Sequence, residues 1–377
     1  MSTNTARIAG HAHDIAAADW DACAGPGNPF LTHAFFTCLE DSLSATADTG
    51  WQPVHLIVDD DAGVPAAIMP NYLKSHSQGE YVFDHSWADA WARAGGRYYP
   101  KLQSCVPFTP ATGSRLLLRD VGLAPALLDA AEALTVQNKL SSAHATFIEP
   151  EQVAAFEAAG WLIRIDQQFH WVNDGYATFD DFLAALSSRK RKAIRREREG
   201  ALESGIEVDM LTGSAITEAH WDAFWVFYND TGSRKWGRPY LTRKFFSLLG
   251  ERMADRVLLT VARRGSRFIA GALNLIGDEC LYGRYWGCSE DVPFLHFELC
   301  YYQAIDWAIA NGRARVEAGA QGSHKLARGY RPTPTYSAHF IPDPGFRRAV
   351  ADYLRVEREA VVEGIEALDE ESPFKKG

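Results

Sequence analysis

The amino-acid sequence predicts an α/β protein made of two domains that share one plan. Its 377 residues, 47% hydrophobic and 23% charged, have the composition of folded domains. At about 100 to 200 residues per domain, a chain of this length favours two domains. The order helix, hairpin, helix, strand, helix, strand occurs twice along the chain. The two hairpins align without gaps, so that Ala67 corresponds to Ala270 and Asn71 to Asn274.

The elements of the first half are predicted from apolar periodicity and turn residues. A hairpin begins near Pro53 and turns at 59–63, where three aspartates and a glycine interrupt two apolar runs. The other predicted elements are a helix at 34–42, a helix at 125–138, a strand at 143–148, a helix at 151–159 and a strand around 161–172.

The second half repeats this order. Its hairpin, within 257–276, turns at 263–266. A helix at 297–310 ends at Asn311 and Gly312, which form a typical C-cap pair. The other predicted elements are a helix at 220–231, a strand at 313–318, a short helix at 324–329 and a strand at 335–341.

A long helix is predicted between the halves, at 178–204. It begins with Thr178 and Asp181 at the spacing of a capping box. Apolar residues at helical spacing predict a further helix at 346–368 that packs along one face of the protein. The predicted domains are an N-terminal domain at 1–177, a C-terminal domain at 178–345, and a terminal helix with its tail at 346–377.

Composition and missing motifs exclude several classes of protein. The formal net charge of −10 argues against a surface that grips nucleic acid everywhere, but allows a local basic patch. The sequence shows no secretory signal, and no apolar run reaches the roughly 18 residues of a membrane span. Six scattered cysteines are typical of reduced thiols, so we expect a cytoplasmic protein. Walker A, HExxH and nucleophile-elbow motifs are missing, and the histidines lack metal-ligand spacing, so no metal is expected.

Seven cations lie in the second part of the linking helix, in the run SSRKRKAIRRERE. Their positive field suits a phosphate-bearing partner such as a nucleotide, coenzyme A or the acceptor end of a tRNA. A solvated helix face in an acidic protein explains the run equally well. The candidate phosphate- or tRNA-binding residues are Arg189, Arg191, Arg195 and Arg198.

A turn-rich segment at 71–114 is crowded with aromatic and charged residues. Aromatic rings with a few charged groups commonly line a small-molecule cleft. The alternative is an irregular loop packed by its own aromatic side chains. The candidate substrate-binding residues in this segment are Lys74, His76, Tyr81, Asp84, Trp87, Lys101, Thr109 and Thr112.

The segment CLYGRYWGC predicts a strand in which Tyr282, Arg284 and Trp286 share one face. Beyond the next helix, the run EAGAQGSHKLARGYRP combines a glycine-rich turn with charged residues. Glu317 and His324 are candidate general bases, and Lys325 could neutralise a developing negative charge. Each could instead be a surface or cap residue. The remaining candidate substrate-binding residues are Trp236, Arg284, Trp286 and Arg328.

The order of elements resembles the GNAT acetyltransferase fold, present twice. Two such domains in tandem are similar to the FemAB and FemX peptidoglycan aminoacyltransferases. Blocks including NPFLTHAFF, LKSHSQGEYVFDHSWADA, KWGRPYLT and AGAQGSHKLARGY resemble the FemAB-like group of N-acyltransferases. This similarity extends over 28–374 and implies two acetyltransferase-like domains, each a mixed central sheet flanked by helices.

The resemblance implies transfer of an acyl or aminoacyl group to an amine. In FemX-like enzymes the donor is an aminoacyl-tRNA and the acceptor is a cell-wall precursor peptide. Their lysine before Gly-aromatic corresponds to Lys325, which would stabilise the charge of the tetrahedral intermediate. The coenzyme A loop of ordinary acetyltransferases is replaced by GCSEDVPFLHF, and the acidic strand position, usually Asp, is Glu317. Three readings stay open: aminoacyl-tRNA as donor, acyl-CoA with a small-molecule amine, or a binding protein for tRNA or a peptidoglycan precursor.

Overall fold

The structure, a computed structural model, describes residues 5–203, 205–236, 239–319 and 322–375. It divides into two compact units. Unit 1 comprises the residues up to Asp166 together with Pro334–Glu363. Unit 2 comprises Gln167–Thr333 and the residues from Gly364 onward.

The first half of the chain contains short strands and helices. They are β1 (Ala6–Ala9), α1 (Ala17–Ala24), α2 (His33–Asp41), β2 (Trp51–Pro53), β3 (His55–Asp59), β4 (Pro65–Met69), β5 (Asn71–Lys74), α3 (His85–Arg93), β6 (Lys101–Ser104), β7 (Leu117–Leu118), α4 (Ala124–Gln137), β8 (Ala143–Ile148), α5 (Pro150–Ala158) and β9 (Leu162–Val172).

The second half has longer strands. Its elements are α6 (Phe179–Ala185), α7 (Ser188–Leu202), β10 (Ile206–Leu211), α8 (Glu218–Trp236), α9 (Arg243–Arg252), β11 (Val257–Arg264), β12 (Arg267–Ile276), β13 (Cys280–Cys288), α10 (Leu295–Phe297), a π-helical turn (Glu298–Tyr302), α11 (Gln303–Ala310), β14 (Arg315–Glu317), a 3₁₀ helix (Ser323–Arg328), β15 (Arg331–Phe340) and α12 (Pro344–Glu370).

Unit 1 contains two groups of paired strands. One is an antiparallel sheet in the order β1-β3-β4-β7. The other runs β15-β8-β6-β5-β2, in which β6 and β8 are parallel. Leu102, Ala143 and Ala145 of the second group share a core with Leu127 of α4 and Phe156 of α5. This apolar face is what the periodicity of α4 and β8 predicted.

Unit 2 contains strands in the order β10-β11-β12-β13-β14-β9. Among the described strands of unit 2, one neighbouring pair, β13 and β14, is parallel, and its ladder is three residues long, ending where Tyr282 pairs with Glu317. Val316 of β14 is buried in a core with Ile305 of α11 and Ile194 of α7. The two strands therefore part immediately after Tyr282 and Glu317, which opens a gap that positions the candidate site.

Most predicted elements are confirmed, including both hairpins and the strand Ala143–Ile148. The predicted single helix at 178–204 is wrong. Leu186 adopts an extended conformation (φ −79°, ψ 156°) that ends α6, and α7 starts anew at Ser188. The capping box of Thr178 and Asp181 is confirmed at the start of α6. Within the described residues, none of the helices combines the length and apolarity required to span a membrane.

Candidate active site

One face of the unit-1 strands is polar although it is buried. Tyr72 pairs with Gln103, Lys74 pairs with Lys101, and Gln103 pairs with His144. Because alternate residues of a strand point to the same side, these five side chains share one face. All five are at most 2% exposed. We call this surface the polar face of unit 1.

Lys101 is the centre of the charges on the polar face. Its ammonium donates to Glu80 Oε2 at 2.6 Å, to Ser77 Oγ at 3.0 Å, and to Asp84. Burial alone would lower the pKa of Lys101, but the carboxylates of Glu80 and Asp84 outweigh burial and hold it above its ordinary value. Burial likewise favours a raised pKa for Asp84, but the Lys101 ammonium holds that pKa well below its ordinary range. Lys101 and Asp84 are therefore a charged pair inside the unit.

Lys74 and Glu80 are paired with each other less closely than Lys101 and Asp84 are. Lys74 Nζ lies 3.4 Å from the centroid of the Trp51 ring, 3.2 Å from the carbonyl of Gln78 and 3.9 Å from Glu80 Oε1. Burial lowers the pKa of Lys74 to about 7 and raises the pKa of Glu80 to about 7. Burial therefore works against the charged form of both groups.

A chain of neutral groups continues the polar face toward β15. Tyr98 donates to Asp84 Oδ2 at 2.6 Å, and its oxygen lies 3.3 Å from Nε2 of His144. Nδ1 of His144 is 2.7 Å from Nδ1 of His339, and Trp87 packs edge-on against the His339 ring. Burial lowers the pKa of His144 to about 3, so this ring stays neutral.

The structure thus brings Lys74, Asp84, Trp87 and Lys101 together, as candidates of the 71–114 segment. His76 also contacts this group, since its Nδ1 lies 3.4 Å from Lys74 Nζ. The remaining contacts of His76, Tyr81, Thr109 and Thr112 are local or with neighbouring segments. His76 Nε2 lies 3.0 Å from the carbonyl of Thr49, and Tyr81 has a positive φ of 60°. Thr109 Oγ1 donates to the carbonyl of Pro107 at 3.0 Å, and the carbonyl of Thr112 accepts from Asn28 at 3.0 Å.

In unit 2, a β-bulge places one extra residue, Arg284, in β13. Gly283 pairs with Asn274 and Tyr285 pairs with Leu273, so the alternation of side chains reverses at Arg284. The prediction that Tyr282, Arg284 and Trp286 share one face is therefore wrong. The Tyr285 ring packs against Tyr228 of α8 at 5.2 Å, whereas the Trp286 ring packs against His296 of α10 at 5.2 Å.

A small cavity of about 90 Å³ lies at this bulge and is called the unit-2 cavity below. The residues that line it are Ala272–Asn274 of β12, Gly283–Trp286 of β13, His296, Cys300, Tyr301 and Ala318. The cavity begins at Gly283 and Ala318, the first residues beyond the paired part of β13 and β14. Cys300 and Tyr301 belong to the π-helical turn, a feature that often accompanies functional sites.

Lys325 is not among the residues that line the unit-2 cavity, but it is bound to the residue that follows the lining residue Ala318. It is 1% exposed, and its ammonium donates to the carbonyl of Gly319 at 2.9 Å, one residue beyond Ala318. Burial lowers the pKa of Lys325 to about 8. With a pKa of about 8, Lys325 is protonated at neutral pH and loses its proton in moderately alkaline solution.

His324 and Tyr301 form a contact that the sequence did not indicate. Nε2 of His324 lies 2.9 Å from the hydroxyl of Tyr301, and His324 is exposed to solvent. Tyr301 was missed because an aromatic residue inside a helix pattern is more often a core residue. Only its contact with His324, from a segment 23 residues later, distinguishes it.

Glu317 lies on the other face of β14 from the core that contains Val316. Its neighbour Val316 faces the core beside α11, so Glu317 points to the opposite side of the strands. Oε1 of Glu317 accepts from Arg315 Nε at 3.2 Å, and Oε2 lies 4.0 Å from His170 Nε2. Among the described residues, Oε2 has no hydrogen-bond partner.

Arg328 and Arg198 are tied into unit 2 by carboxylates. Arg328 stacks 3.5 Å above the centroid of the Phe297 ring, and its Nη2 donates to both carboxylate oxygens of Glu197 at 3.0 Å. Arg198 donates from Nη2 to Glu298 Oε1 at 3.0 Å. Arg198 is therefore committed to an internal ion pair.

The other candidates on α7 are more accessible. Arg189 and Arg195 are exposed, and Arg195 pairs with Asp180 at 3.1 Å. Arg191 is half-buried, and its Nη2 lies 3.5 Å from Ser188 Oγ. The side chain of Trp236 lies outside the described residues. In the part of the chain that the structure describes, no three His, Cys, Asp or Glu side chains are grouped so as to hold a metal ion.

Comparisons with known proteins agree over most of the chain. A model of the FemAB-like family, described as peptidoglycan biosynthesis/recognition, matches residues 11–376. The structure is similar to that of FemX, with a TM-score of 0.56 and 12% identity over 89% of this chain and 98% of the other. It is also similar to L-PGS from Bacillus licheniformis, with a TM-score of 0.53 and 10% identity over 89% and 98%. No curated protein matches the sequence. The predicted fold, two tandem acetyltransferase-like domains, is confirmed.

Proposed function

The chain belongs to the FemAB-like family and is by general class an acyltransferase, and from this premise we propose that it transfers an aminoacyl group to the amine of a peptide acceptor. The reaction centre is the unit-2 cavity. The observation that carries the proposal is the buried Lys325 ammonium, which donates to the carbonyl of Gly319, next to Ala318 in the wall of that cavity. FemX, whose structure is similar at 12% identity, supports the fold of such an enzyme.

The acceptor amine attacks the carbonyl carbon of the donor ester, and a negative charge develops on the carbonyl oxygen. Among the described residues, Lys325 uses one ammonium hydrogen, on the carbonyl of Gly319, which leaves two hydrogens for that oxygen. A charged hydrogen-bond donor that is held in place before the reaction stabilises the transition state more than water does. Lys325 is therefore proposed to stabilise the oxyanion, and His324 to accept the proton of the amine.

Glu317 is a weaker candidate for the base. Its side chain points to the other side of the strands from Val316, whereas the π-helical turn that lines the unit-2 cavity lies on the Val316 side. An unpaired Oε2 beside His170 supports a different role, in which Glu317 accepts a hydrogen bond from a bound group.

The donor is proposed to be an aminoacyl-tRNA that contacts α7. Arg189, Lys192 and Arg196 are exposed and have no ion pair among the described residues. Clustered cations without carboxylate partners release counterions when they bind phosphates, which favours nucleic acid as a ligand. The replacement of the coenzyme A loop by GCSEDVPFLHF, which ends with α10, supports the same choice of donor.

The polar face of unit 1 is proposed to contribute substrate-binding groups. Tyr72 Oη, Gln103 Oε1 and Glu80 Oε1 are buried and have no hydrogen-bond partner among the described residues. Buried polar atoms are costly unless a ligand or water satisfies them. Amide and amine groups of a peptide, as in a cell-wall precursor, supply the matching donors and acceptors.

A donor screen tests the proposal. The protein is incubated with a peptidoglycan precursor peptide and either bulk tRNA charged with ¹⁴C-labelled amino acids or a panel of acyl-CoA thioesters. Label on the acceptor amine from charged tRNA is expected. Product from the thioesters alone would replace the proposed donor with acyl-CoA. Binding of either substrate without product would identify a binding protein and contradict the proposal.

A further inference from the structure

We propose that Tyr301 and His324 form a proton relay that carries the proton of the attacking amine from the unit-2 cavity to solvent. The relay rests on the proposed transferase function and assigns a catalytic role to Tyr301. It also gives His324 a direction of proton transfer.

The geometry links an enclosed group to an exposed one. Tyr301 lines the unit-2 cavity, and its hydroxyl lies 2.9 Å from Nε2 of His324. His324 is exposed, so its other nitrogen, Nδ1, is on a ring that solvent reaches. His324 is not among the residues that line the cavity, and Tyr301 connects the two environments.

Neighbouring groups hold the His324 ring in this position. Its centroid lies 5.8 Å from that of Phe297 and 5.8 Å from that of Tyr301. Gly322, with φ of 125°, leaves the space that the ring occupies: a Cβ at this position would lie 2.6 Å from Cε1 of His324. An exposed histidine packed in this way has fewer orientations available than a free surface side chain.

The relay consists of two coupled proton transfers. As the amine nitrogen bonds to the donor carbonyl carbon, its N–H bond breaks and the proton moves to Tyr301 Oη. The original Tyr301 O–H bond breaks, and that proton bonds to Nε2 of His324. The imidazolium then loses its Nδ1 proton to water. Tyr301 ends as it began, and the amine has lost one proton. His324 ends with its proton on Nε2, and proton exchange between the exposed ring and water returns that proton to Nδ1 before the next turnover.

Tyrosine suits the middle position of this relay. Burial raises the pKa of Tyr301 above its ordinary value, so the hydroxyl keeps a proton at neutral pH and does not persist as a tyrosinate. It passes a proton on only when it receives one. Lys325, whose ammonium points to the carbonyl of Gly319, is left to stabilise the oxyanion.

The relay requires the neutral His324 ring to carry its proton on Nδ1. ¹⁵N–¹H correlation spectra of protein labelled in histidine report the protonated nitrogen of each ring, and a His324→Gln variant assigns the signal. A proton on Nδ1 is expected. A proton on Nε2 would make His324 the donor to Tyr301 and overturn the relay. This measurement needs no substrate.

Kinetics test the same relay during transfer with the donor that gives product in the screen. Tyr301→Phe is expected to lower kcat by about 100-fold with KM unchanged. Tyr330→Phe is the matched control, because Tyr330 packs against Tyr301 at 5.5 Å and its hydroxyl has no partner among the described residues. An unchanged kcat for Tyr301→Phe overturns the relay alone. Absence of transfer by the wild-type protein overturns the proposed function and with it the relay.

Discussion

Arg198 and Glu298 form an ion pair inside unit 2, in which Nη2 of Arg198 lies 3.0 Å from Oε1 of Glu298 although 100 residues separate them. The Glu298 side chain is fully buried, and the Arg198 side chain is 22% exposed. Glu298 also accepts from Gln303 Nε2 at 2.8 Å. This pair fixes α7 against the π-helical turn that supplies Cys300 and Tyr301 to the unit-2 cavity.

Replacing Arg198 with Ala should destabilise the protein strongly, because a buried carboxylate loses its cation. Removal of one partner of a buried pair costs about 3 kcal/mol or more. Urea unfolding measures the change. Arg195→Ala is the control, since its exposed pair with Asp180 should contribute less than about 1 kcal/mol. Equal losses for Arg198→Ala and Arg195→Ala would show that the Glu298 pair does not stabilise unit 2.

Charge reversal on the exposed side of α7 should weaken tRNA binding. The variant carries Glu at Arg189, Lys192 and Arg196, which lie on an accessible surface. In a plot of the logarithm of the binding constant against the logarithm of the salt concentration, each lost phosphate contact reduces the steepness of the slope by roughly one. Filter binding of bulk tRNA at several salt concentrations measures both effects.

A control variant with the same change in net charge carries Glu at Arg93, Arg348 and Arg355, three exposed residues of unit 1. It should bind tRNA like the wild-type protein. Similar losses in both triple variants would mean that net charge, and not the α7 surface, governs binding.

Transfer activity should fall on the alkaline side of the pH profile with an apparent pKa near 8. Lys325 must carry its proton to stabilise the oxyanion, and burial lowers its pKa to about 8. Arginine stays protonated well above that pH, so Lys325→Arg should move the alkaline limb beyond roughly pH 10. The kcat profile from pH 6 to 10 tests this. An alkaline limb at the same pH in both proteins would remove Lys325 from the reaction.

The same lysine should affect stability with the opposite trend. The pKa of Lys325 is about 8 in the folded protein and ordinarily 10.5. Between these values the unfolded chain binds more protons at this position, so the contribution of Lys325 to stability rises with pH. The urea midpoint should therefore gain less, or lose more, between pH 7.5 and pH 10 in Lys325→Met than in the wild-type protein. Identical pH trends in the two proteins would contradict this.

Removing Lys101 should be more harmful than removing Lys74. Lys101 binds both Glu80 and Asp84, whereas Lys74 lies 3.9 Å from Glu80 alone. We expect Lys101→Met to cost about 3 to 5 kcal/mol in chemical unfolding, because two buried carboxylates are left without their cation. Adding Asp84→Asn and Glu80→Gln to Lys101→Met should restore part of the loss. A Lys74→Met variant as unstable as Lys101→Met would contradict the assignment of Lys101 as the centre.

The sequence predicted what depends on local periodicity. The hairpins, α4, β8 and the capping box at Thr178 each follow from residues within a few positions of one another. The break at Leu186 was missed because Ser187 and the following cations still fit a helical pattern.

The site was harder to predict because it depends on contacts across long stretches of chain. The bulge at Arg284 carries no turn residue other than the adjacent Gly283, so simple alternation gave the wrong faces. The contact between Tyr301 and His324 depends on the π-helical turn, which residue types do not indicate. His324 and Lys325 were found because charged residues after a glycine-rich turn are visible in the sequence itself.

The polar face of unit 1 also specifies the register in which its strands pair. A slip of one residue between β5 and β6 would turn Lys101 toward the core that contains Leu102 and Ala143, and would leave Leu102 among charged groups. A strand with one apolar and one solvated face loses only hydrophobic burial when it slips. Here a slip also places an ammonium in an apolar core, where its desolvation is uncompensated. The charges inside unit 1 therefore disfavour pairing of β5 and β6 in a shifted register.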